Sequence, residues 1–379
     1  MRWNKRVASA RPSSPLMVLA VLLTLSLAVS AKVVFKGAPS KAEWEHLGRV
    51  IGGSDASQGE FPFAAFLMVD EGDQTAFCGG TIIGRQWILT AGHCVVDTSS
   101  GGHSLNVSIP ISRPRKHVHT EPKRHPLWRK YSTVKPKNIV VGIGNIYNAR
   151  AAPYRVSKVY AHPDLNLDYF DNDVALLKLK KKLSYNAQVQ PIRIDTETPT
   201  DGQRVTGVGW GKTSVESQTT ADVLQTVDLT LGNEALCQRI RPRFTGNDGN
   251  YICVTTPDGR DTCSGDSGGP LLRRCNGDPA QQGAAGSGAW VQLGITSYGD
   301  NSQRTDDTVC AATDGAGFYT HAAAYLDWIS KTSGIKREAL AATCNGNQVS
   351  VARSSDGCAR AAALGTALVA AAAATLVLI

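Results

Sequence analysis

The chain has 379 residues, which is enough for one large all-β domain or for two smaller domains. It carries 40 basic and 32 acidic side chains, and its formal net charge is +8. This excess is local, because residues 1–49 hold eight basic and two acidic side chains and residues 99–138 hold nine and one. The rest of the chain is mildly acidic, so the charge gives no reason to expect a nucleic-acid partner.

The first 31 residues have the pattern of a secretory signal. Basic residues precede an apolar run at 16–29, and the small residues Ser30 and Ala31 follow it. This order predicts a signal peptide over residues 1–31. A signal anchor is the alternative, although the run is short for a membrane span. Nine cysteines in a secreted chain indicate a disulfide framework.

Short runs of Val, Ile, Leu and Thr recur through the centre of the chain, separated by Gly, Asn, Asp and Pro. Helical periodicity is scarce there, so this pattern favours strands and turns and predicts an all-β fold. One helical pattern appears late, at residues 322–329.

Three separated segments contain the residue types needed for nucleophilic catalysis. His93 follows one apolar strand pattern, Asp173 precedes another, and Ser267 lies in the glycine-rich segment 261–270. A serine hydroxyl is a poor nucleophile unless a base accepts its proton and a third group orients that base. We therefore interpret these three residues as a candidate catalytic set.

Residues 99–138 form a basic insertion with too few apolar residues for a core of its own. We expect an exposed loop beside His93, in agreement with a glycosylation sequon at Asn106. The insertion is interpreted as a solvated charge run, as a binding segment for acidic substrates, sulfated glycans or anionic surfaces, or as a barrier to large substrates. Its four histidines match no metal-ligand spacing, and no metal or organic cofactor is expected.

The chain ends in an uncharged apolar tail at 361–379, preceded by a linker at 336–360. Small residues at Ser354 and Ser355 make this resemble a signal for attachment of a GPI anchor, although the spacer is short and attachment further upstream is an alternative. A retained span of about 19 residues is the other interpretation. Both predict a protein held at the outer face of the plasma membrane.

The order of His93, Asp173 and Ser267, and the residues around each of them, resemble the chymotrypsin family of trypsin-like serine proteases. The resemblance runs from about residue 50 to about residue 333. It implies a protease domain over residues 50–335, with two packed six-stranded antiparallel β-barrels, the active site between them and a closing C-terminal helix.

The resemblance also implies a role for each site residue. Ser267 would attack the peptide carbonyl, His93 would carry the proton and Asp173 would orient His93. The backbone N–H groups of Gly265 and Ser267 would bind the oxyanion. Asp261, six residues before the nucleophile, would form the base of a pocket for a substrate arginine or lysine.

Three residues resemble the strand that pairs with the substrate backbone in this family, and these are Ser297, Tyr298 and Gly299. Tyr298 stands where tryptophan is more usual. Gly299 and Gly317 match the walls of the specificity pocket and leave room for a long cationic side chain.

The residues around Arg49 resemble a zymogen cleavage site, which implies an activation propeptide over residues 32–49. Cleavage after Arg49 would free the α-amine of Val50 to pair with the buried carboxylate of Asp266. That pair would order the turn at Ser267, so the uncut precursor should be nearly inactive.

The resemblance implies three disulfides, Cys78–Cys94, Cys237–Cys253 and Cys263–Cys310. Cys275 would then pair with Cys344 or Cys358, and one thiol would be left over.

Two features depart from the family pattern. Gly92 stands where alanine is commoner, which should loosen the His93 loop slightly, and the basic insertion replaces a short connection. The primary interpretation is an active extracellular endopeptidase that cleaves after Arg or Lys. The alternative is a catalytically silent, protease-like binding or inhibitor protein. Proteins of that kind typically lack a triad residue or the pocket acid, whereas this chain has them all.

Overall fold

The structure is a computed structural model, and it describes residues 50–72, 74–97, 131–275, 290–301, 310–345 and 348–350. The predicted signal peptide, propeptide and C-terminal tail lie outside these residues, as do Asn106, Cys358 and most of the basic insertion. Within the described ranges, no helix combines the length and the apolar character that a membrane span requires.

The strands follow one another in chain order with mostly short connections. They are β1 (Ser54–Asp55), β2 (Ala64–Asp70), β3 (Thr75–Gly84), β4 (Trp87–Thr90), β5 (Ile139–Ile143), β6 (Ala152–Ala161), β7 (Ala175–Leu179), β8 (Ile194–Asp195), β9 (Arg204–Gly209), β10 (Gln225–Leu231), β11 (Tyr251–Thr255), β12 (Pro270–Arg274), β13 (Trp290–Asn301), β14 (Gly315–His321), β15 (Ala341–Asn345) and β16 (Gln348–Ser350).

The first barrel closes in the order β2-β3-β4-β7-β6-β5, and every pairing in it is antiparallel. Its strands carry the Val, Ile and Leu residues on which the sequence prediction depended. Leu67, Ile88 and Leu176 are fully buried, because residues of one face of each strand turn toward the barrel axis.

The second barrel is formed by β9, β10, β11, β14, β13 and β12, and it closes because β12 pairs with both β9 and β13. Beyond the barrel, the sheet continues through β8 and β15, which pair in parallel at Ala341 and Ile194. Two six-stranded antiparallel barrels confirm the predicted fold class.

In the described ranges, three short helices accompany the barrels, α1 (Glu234–Ile240), α2 (Leu326–Ser333) and α3 (Arg337–Leu340). The helix predicted at 322–329 begins as a 3-10 turn, Ala322–Tyr325, and continues as α2. Its buried residues Leu326 and Ile329 belong to the core of the first barrel. Gly334 ends α2 in the left-handed conformation, with φ at 73°.

Four disulfides join the described cysteines, namely Cys78–Cys94, Cys237–Cys253, Cys263–Cys310 and Cys275–Cys344. The first three are the pairs that the resemblance implies. The fourth decides between the two partners left open for Cys275, and it fastens β15 to the end of β12.

Candidate active site

Strand pairing brings His93 and Asp173 to one edge of the first barrel. His93 opens the 3-10 turn that follows β4, and Asp173 lies just before β7. These strands pair in antiparallel register, with Thr90 opposite Ala175. The end of one strand therefore meets the start of the other, and the two polar residues beyond them must lie close together.

The carboxylate of Asp173 holds His93 through both of its oxygens. The Nδ1 atom of His93 lies 2.7 Å from Oδ2, and the backbone N–H of His93 donates to Oδ1 at 2.8 Å. Two residues of the second barrel complete the contacts, since the Ser297 hydroxyl donates to Oδ2 and the Thr320 hydroxyl donates to the Asp173 carbonyl at 2.8 Å. This arrangement fixes the orientation of the imidazole ring and leaves Nε2 as its other nitrogen.

The contact with Asp173 makes His93 a stronger base. Burial alone would lower the pKa of His93, but the charge and hydrogen bond of Asp173 outweigh it and raise the pKa above its ordinary value. Burial alone would raise the pKa of Asp173, but the His93 contacts and the Ser297 hydroxyl bring it below the ordinary value. Asp173 therefore stays ionised and stabilises a protonated His93.

Ser267 lies in a tight turn between the two barrels. Its carbonyl oxygen accepts a hydrogen bond from the Gly79 N–H at 2.7 Å and lies 3.5 Å from Sγ of Cys94, the residue after His93. The Gly268 N–H donates to the Thr296 carbonyl at 2.7 Å. Among the described residues, the Ser267 hydroxyl makes no hydrogen bond to His93, a contact that often tightens only when substrate is bound.

The Ser267 turn leaves two backbone donors available. Within the described chain, no hydrogen-bond acceptor is assigned to the N–H groups of Gly265 or Ser267. Gly265 has a φ of 100°, and a Cβ atom there would lie 2.8 Å from Cγ2 of Thr220. Glycine is required at this position, and the turn it permits is the kind that can bind a developing oxyanion.

Asp266 is fully buried beside this turn. Its Oδ1 accepts from the Gly211 N–H at 2.6 Å and its Oδ2 from the Cys263 N–H at 2.8 Å. Burial raises the pKa of Asp266 to about 6. In the part of the chain that the structure covers, no cationic side chain pairs with Asp266, while Val50 is fully buried in the core of the second barrel.

Asp261 is almost completely buried next to Gly317. Its Oδ2 accepts from the Ala311 N–H at 3.1 Å, whereas Oδ1 has no hydrogen-bond partner. Gly317, which pairs with Gly299 across β13 and β14, would place a Cβ atom 3.1 Å from that free oxygen. Burial raises the pKa of Asp261 to about 7. A buried carboxylate with one unused oxygen is suited to receive a cationic group.

Arg241, which no sequence pattern marked as a site residue, joins the two barrels beside the candidate catalytic residues. Its Nη2 lies 3.0 Å from Oδ1 of Asp171, and its Nη1 donates to the Tyr169 carbonyl at 3.0 Å and to the Tyr298 hydroxyl. The guanidinium also lies 3.9 Å from the centre of the Tyr251 ring. Alternating arginines at 239, 241 and 243 are typical of an exposed segment, so the sequence pattern hides this buried contact.

An aromatic stack adjoins this contact. The Phe170 and Tyr298 rings are stacked with centres 4.7 Å apart, and Phe318 stacks on Tyr298 at 5.2 Å. The edge of Phe170 meets the His93 ring at 5.8 Å. Phe170 and Asn172 both have left-handed backbone, with φ at 54° and 56°. Such conformations are maintained only where the surroundings hold them.

The residues that the structure describes contain one cluster of potential metal ligands, with atoms of Cys78, His93 and Cys94 within 4.8 Å of one another. The two sulfurs are bonded to each other, so neither is available as a thiolate ligand.

Comparison with known proteins agrees with this geometry. A family model described as Trypsin matches residues 50–329. Trypsin-1 of Astacus astacus is 30% identical over 286 residues, which cover 74% of this chain and 98% of that protein. CLIP domain-containing serine protease B4 of Anopheles gambiae is 28% identical, with coverage of 80% and 77%, and coagulation factor IX of Cavia porcellus is 29% identical, with coverage of 74% and 80%. The chain belongs to the trypsin family of serine proteases.

Proposed function

We propose that the protein is an active serine endopeptidase, with Ser267 as nucleophile, His93 as general base and acid, and Asp173 as the group that orients His93. The observation that carries this proposal is the two-point contact of Asp173 with His93 beside a turn that presents the Ser267 and Gly265 amides. Attack on the peptide carbonyl gives an acyl-enzyme, which water then hydrolyses.

We further propose that cleavage follows Arg or Lys. The free, buried oxygen of Asp261 supports this specificity, because a substrate cation would supply the missing partner. Ser297, Tyr298 and Gly299 lie on β13 and would pair with the substrate backbone, with Gly317 as the opposite wall of the pocket.

The buried environment of the Asp266 carboxylate supports activation by cleavage after Arg49. This carboxylate is buried with two backbone donors and without a described cationic partner. The new ammonium of Val50 would provide that partner and hold the oxyanion turn.

We propose an extracellular site of action, because disulfides persist in oxidising compartments and four are present among the described residues. Attachment to the outer face of the plasma membrane, by a GPI anchor or a retained span, depends on residues 361–379. Binding of anionic glycans or surfaces by the basic insertion depends largely on residues outside the described ranges.

The second candidate is a catalytically silent binding or inhibitor protein. The observation that favours it is that, among the described residues, the Ser267 hydroxyl makes no hydrogen bond to His93, whose Nε2 lies 3.7 Å from Sγ of Cys94. A silent protein would keep the fold without turning over substrate.

One experiment separates the two functions. Protein cleaved after Arg49 is given matched peptide substrates that differ only in Arg, Lys, Phe or Ala before the scissile bond. We expect fast turnover of the Arg and Lys substrates and a loss of at least about 10³-fold in kcat in the Ser267→Ala control. No turnover by protein with an intact Val50 terminus would establish the silent alternative.

A further inference from the structure

A continuous row of basic side chains crosses the outer surface of the first barrel. Eight of the nine are exposed and Lys178 is partly buried. They come from the turn before β4, the turn before β5, strand β6, strand β7 and the loop after β7. We call this set the basic belt, and its members are Arg85, Lys135, Lys137, Arg155, Lys158, Lys178, Lys180, Lys181 and Lys182.

The strand register makes the belt continuous. Lys158 stands directly opposite Lys178 in the pairing of β6 with β7, and the Lys180 N–H donates to the Arg155 carbonyl at 2.8 Å. The 3-10 turn that carries Lys137 packs against β6. At the other end, the Leu183 N–H donates to the Arg85 carbonyl at 2.6 Å, which places Arg85 beside the end of the lysine run.

No acidic side chain in the described part of the chain forms an ion pair with any member of the belt. Asp70 and Glu71, at the end of the strand beyond β5, accept hydrogen bonds from the Gly72 N–H and the Gln74 side chain instead. Like charges that face each other across a sheet are destabilising, so an anion over the pair Lys158 and Lys178 would relieve their repulsion. The Lys178 ammonium also lies over the Trp87 ring, 5.4 Å from its centre.

The composition of the belt indicates which kind of anion would bind to it. Seven of its nine members are lysines, a residue that is depleted in protein interfaces. Protein partners are usually held by exposed aromatic or apolar anchors. In the described part of the chain, the large exposed hydrophobic residues lie outside the turns, strands and loop that carry the belt. Those residues are Met68, Phe77, Tyr147, Tyr169, Val215 and Leu236.

A polyanion needs no such anchors, since it binds lysines by charge and by release of its own counterions. The belt crosses neighbouring strands, which lie about 5 Å apart, and follows the convex surface of a barrel. A flexible linear chain can follow that curve, whereas a flat membrane surface can touch only part of it. We propose that the basic belt binds a linear sulfated polysaccharide.

The belt lies away from the candidate active site. Strand β7 starts two residues after Asp173, and the lysines at 178–182 are at its opposite end. Polysaccharide binding should therefore leave the hydrolysis of small peptides unchanged and should keep the protein on sulfated matrices. This inference does not depend on catalytic activity, so it can fail or succeed separately from the proposed function.

The test uses the full chain and a size-defined heparin oligosaccharide, titrated at several salt concentrations. The variant Lys158→Gln/Lys178→Gln/Lys181→Gln should bind about tenfold or more weakly, and its slope of log Kd against log salt should fall by up to about three, one for each removed cation. Lys158→Arg/Lys178→Arg/Lys181→Arg keeps the charges and should retain binding. Desulfated heparin should bind neither protein measurably.

A matched variant removes three cations from the second barrel, Lys212→Gln/Arg239→Gln/Arg260→Gln. It should bind heparin like the unaltered protein, and thermal melts should show that all variants are folded. Equal weakening in both glutamine variants would mean a general charge effect and would overturn the proposal. It would also be overturned if phosphatidylserine vesicles or poly-glutamate, but not heparin, bound in a belt-dependent way.

Discussion

At the scale of single residues, Gly92 departs from the family pattern, in which alanine is commoner. Its effect on the His93 loop depends on the side chains that surround it. Its backbone is helical, with φ at −65° and ψ at −43°, so glycine is not required for conformational reasons. A Cβ atom there would lie 2.9 Å from Cδ1 of Leu165 and 3.2 Å from Oδ1 of Asp173. The extra space is therefore filled by Leu165, and the expected loosening of the His93 loop is offset by packing.

We predict that Gly92→Ala lowers stability by about 1 kcal/mol, because overpacking outweighs the gain from a less flexible unfolded chain. Leu165 can shift, whereas the Asp173 carboxylate is held by two hydrogen bonds to His93. Urea unfolding of Gly92→Ala, Leu165→Val and the double variant measures the coupling. The double variant should lose less than the sum of the single variants, and simple additivity would rule out the contact.

Asp261 allows a second prediction at this scale. Asp261→Asn keeps the shape of the side chain but removes the charge that would pair with a substrate cation. We expect kcat/KM for Arg and Lys substrates to fall by about 10²–10³-fold, the equivalent of about 3–4 kcal/mol, as for a broken buried pair. Peptide hydrolysis by the cleaved protein measures it, with the exposed Asp258→Asn as control. An unchanged preference for Arg and Lys would disprove the role of Asp261.

At the scale of elements, the segment between residues 169 and 173 depends on Arg241 for its position. The guanidinium contacts the side chain of Asp171 and the Tyr169 carbonyl, and it adjoins the stack of Phe170 on Tyr298. Two left-handed residues flank Asp171. Because the same segment leads directly to Asp173, its position decides where the candidate catalytic acid lies.

We predict that Arg241→Met lowers stability by about 1–3 kcal/mol and kcat/KM by about tenfold or more, because Asp171 loses its charged partner and the loop is released. Adding Asp171→Asn should restore part of the stability, since it removes a carboxylate that would keep, among the described residues, only the Tyr251 hydroxyl as a partner. Denaturant unfolding and peptide kinetics test both effects. Losses that simply add in the double variant would show that the two side chains do not interact.

The elements also show which parts of the structure the sequence could predict. His93, Asp173 and Ser267 are marked by apolar strands and glycine turns that lie next to them in the chain, so local patterns place them. Arg241 meets Asp171 across 70 residues and two barrels, and no local pattern encodes that contact. The partner of Cys275 could not be chosen for the same reason, because it depends on β15 joining the second sheet.

At the scale of the whole molecule, buried carboxylates make stability depend on pH. The pKa values of Asp261 and Asp266 are about 7 and about 6 in the folded chain, above the ordinary value of 3.8. Between pH 4 and pH 7 these two side chains therefore hold more protons in the folded chain than in the unfolded chain. Their contribution to stability falls as the pH rises through this window.

We predict that this fall is steeper in the uncut precursor than in protein cleaved after Arg49, because the Val50 ammonium would lower the pKa of Asp266. The contribution of Asp266 is on the order of 3 kcal/mol. Urea unfolding from pH 4 to pH 7 compares the two forms, with Asp266→Asn precursor as control. A precursor whose pH dependence is unaffected by Asp266→Asn would contradict the prediction.

The distribution of disulfides has a mechanical consequence for the whole molecule. Each described bridge lies within one barrel or between the second barrel and its own added strand, and none crosses the cleft. Apart from the backbone that connects the barrels, His93 and Ser267 are therefore kept in register by noncovalent contacts, such as the Thr320 hydroxyl on Asp173 and the Gly79 amide on Ser267. Two intact halves that slide slightly apart would still look folded to spectroscopy, so a loss of alignment between the halves would be detected by catalysis before it is detected by a folding signal.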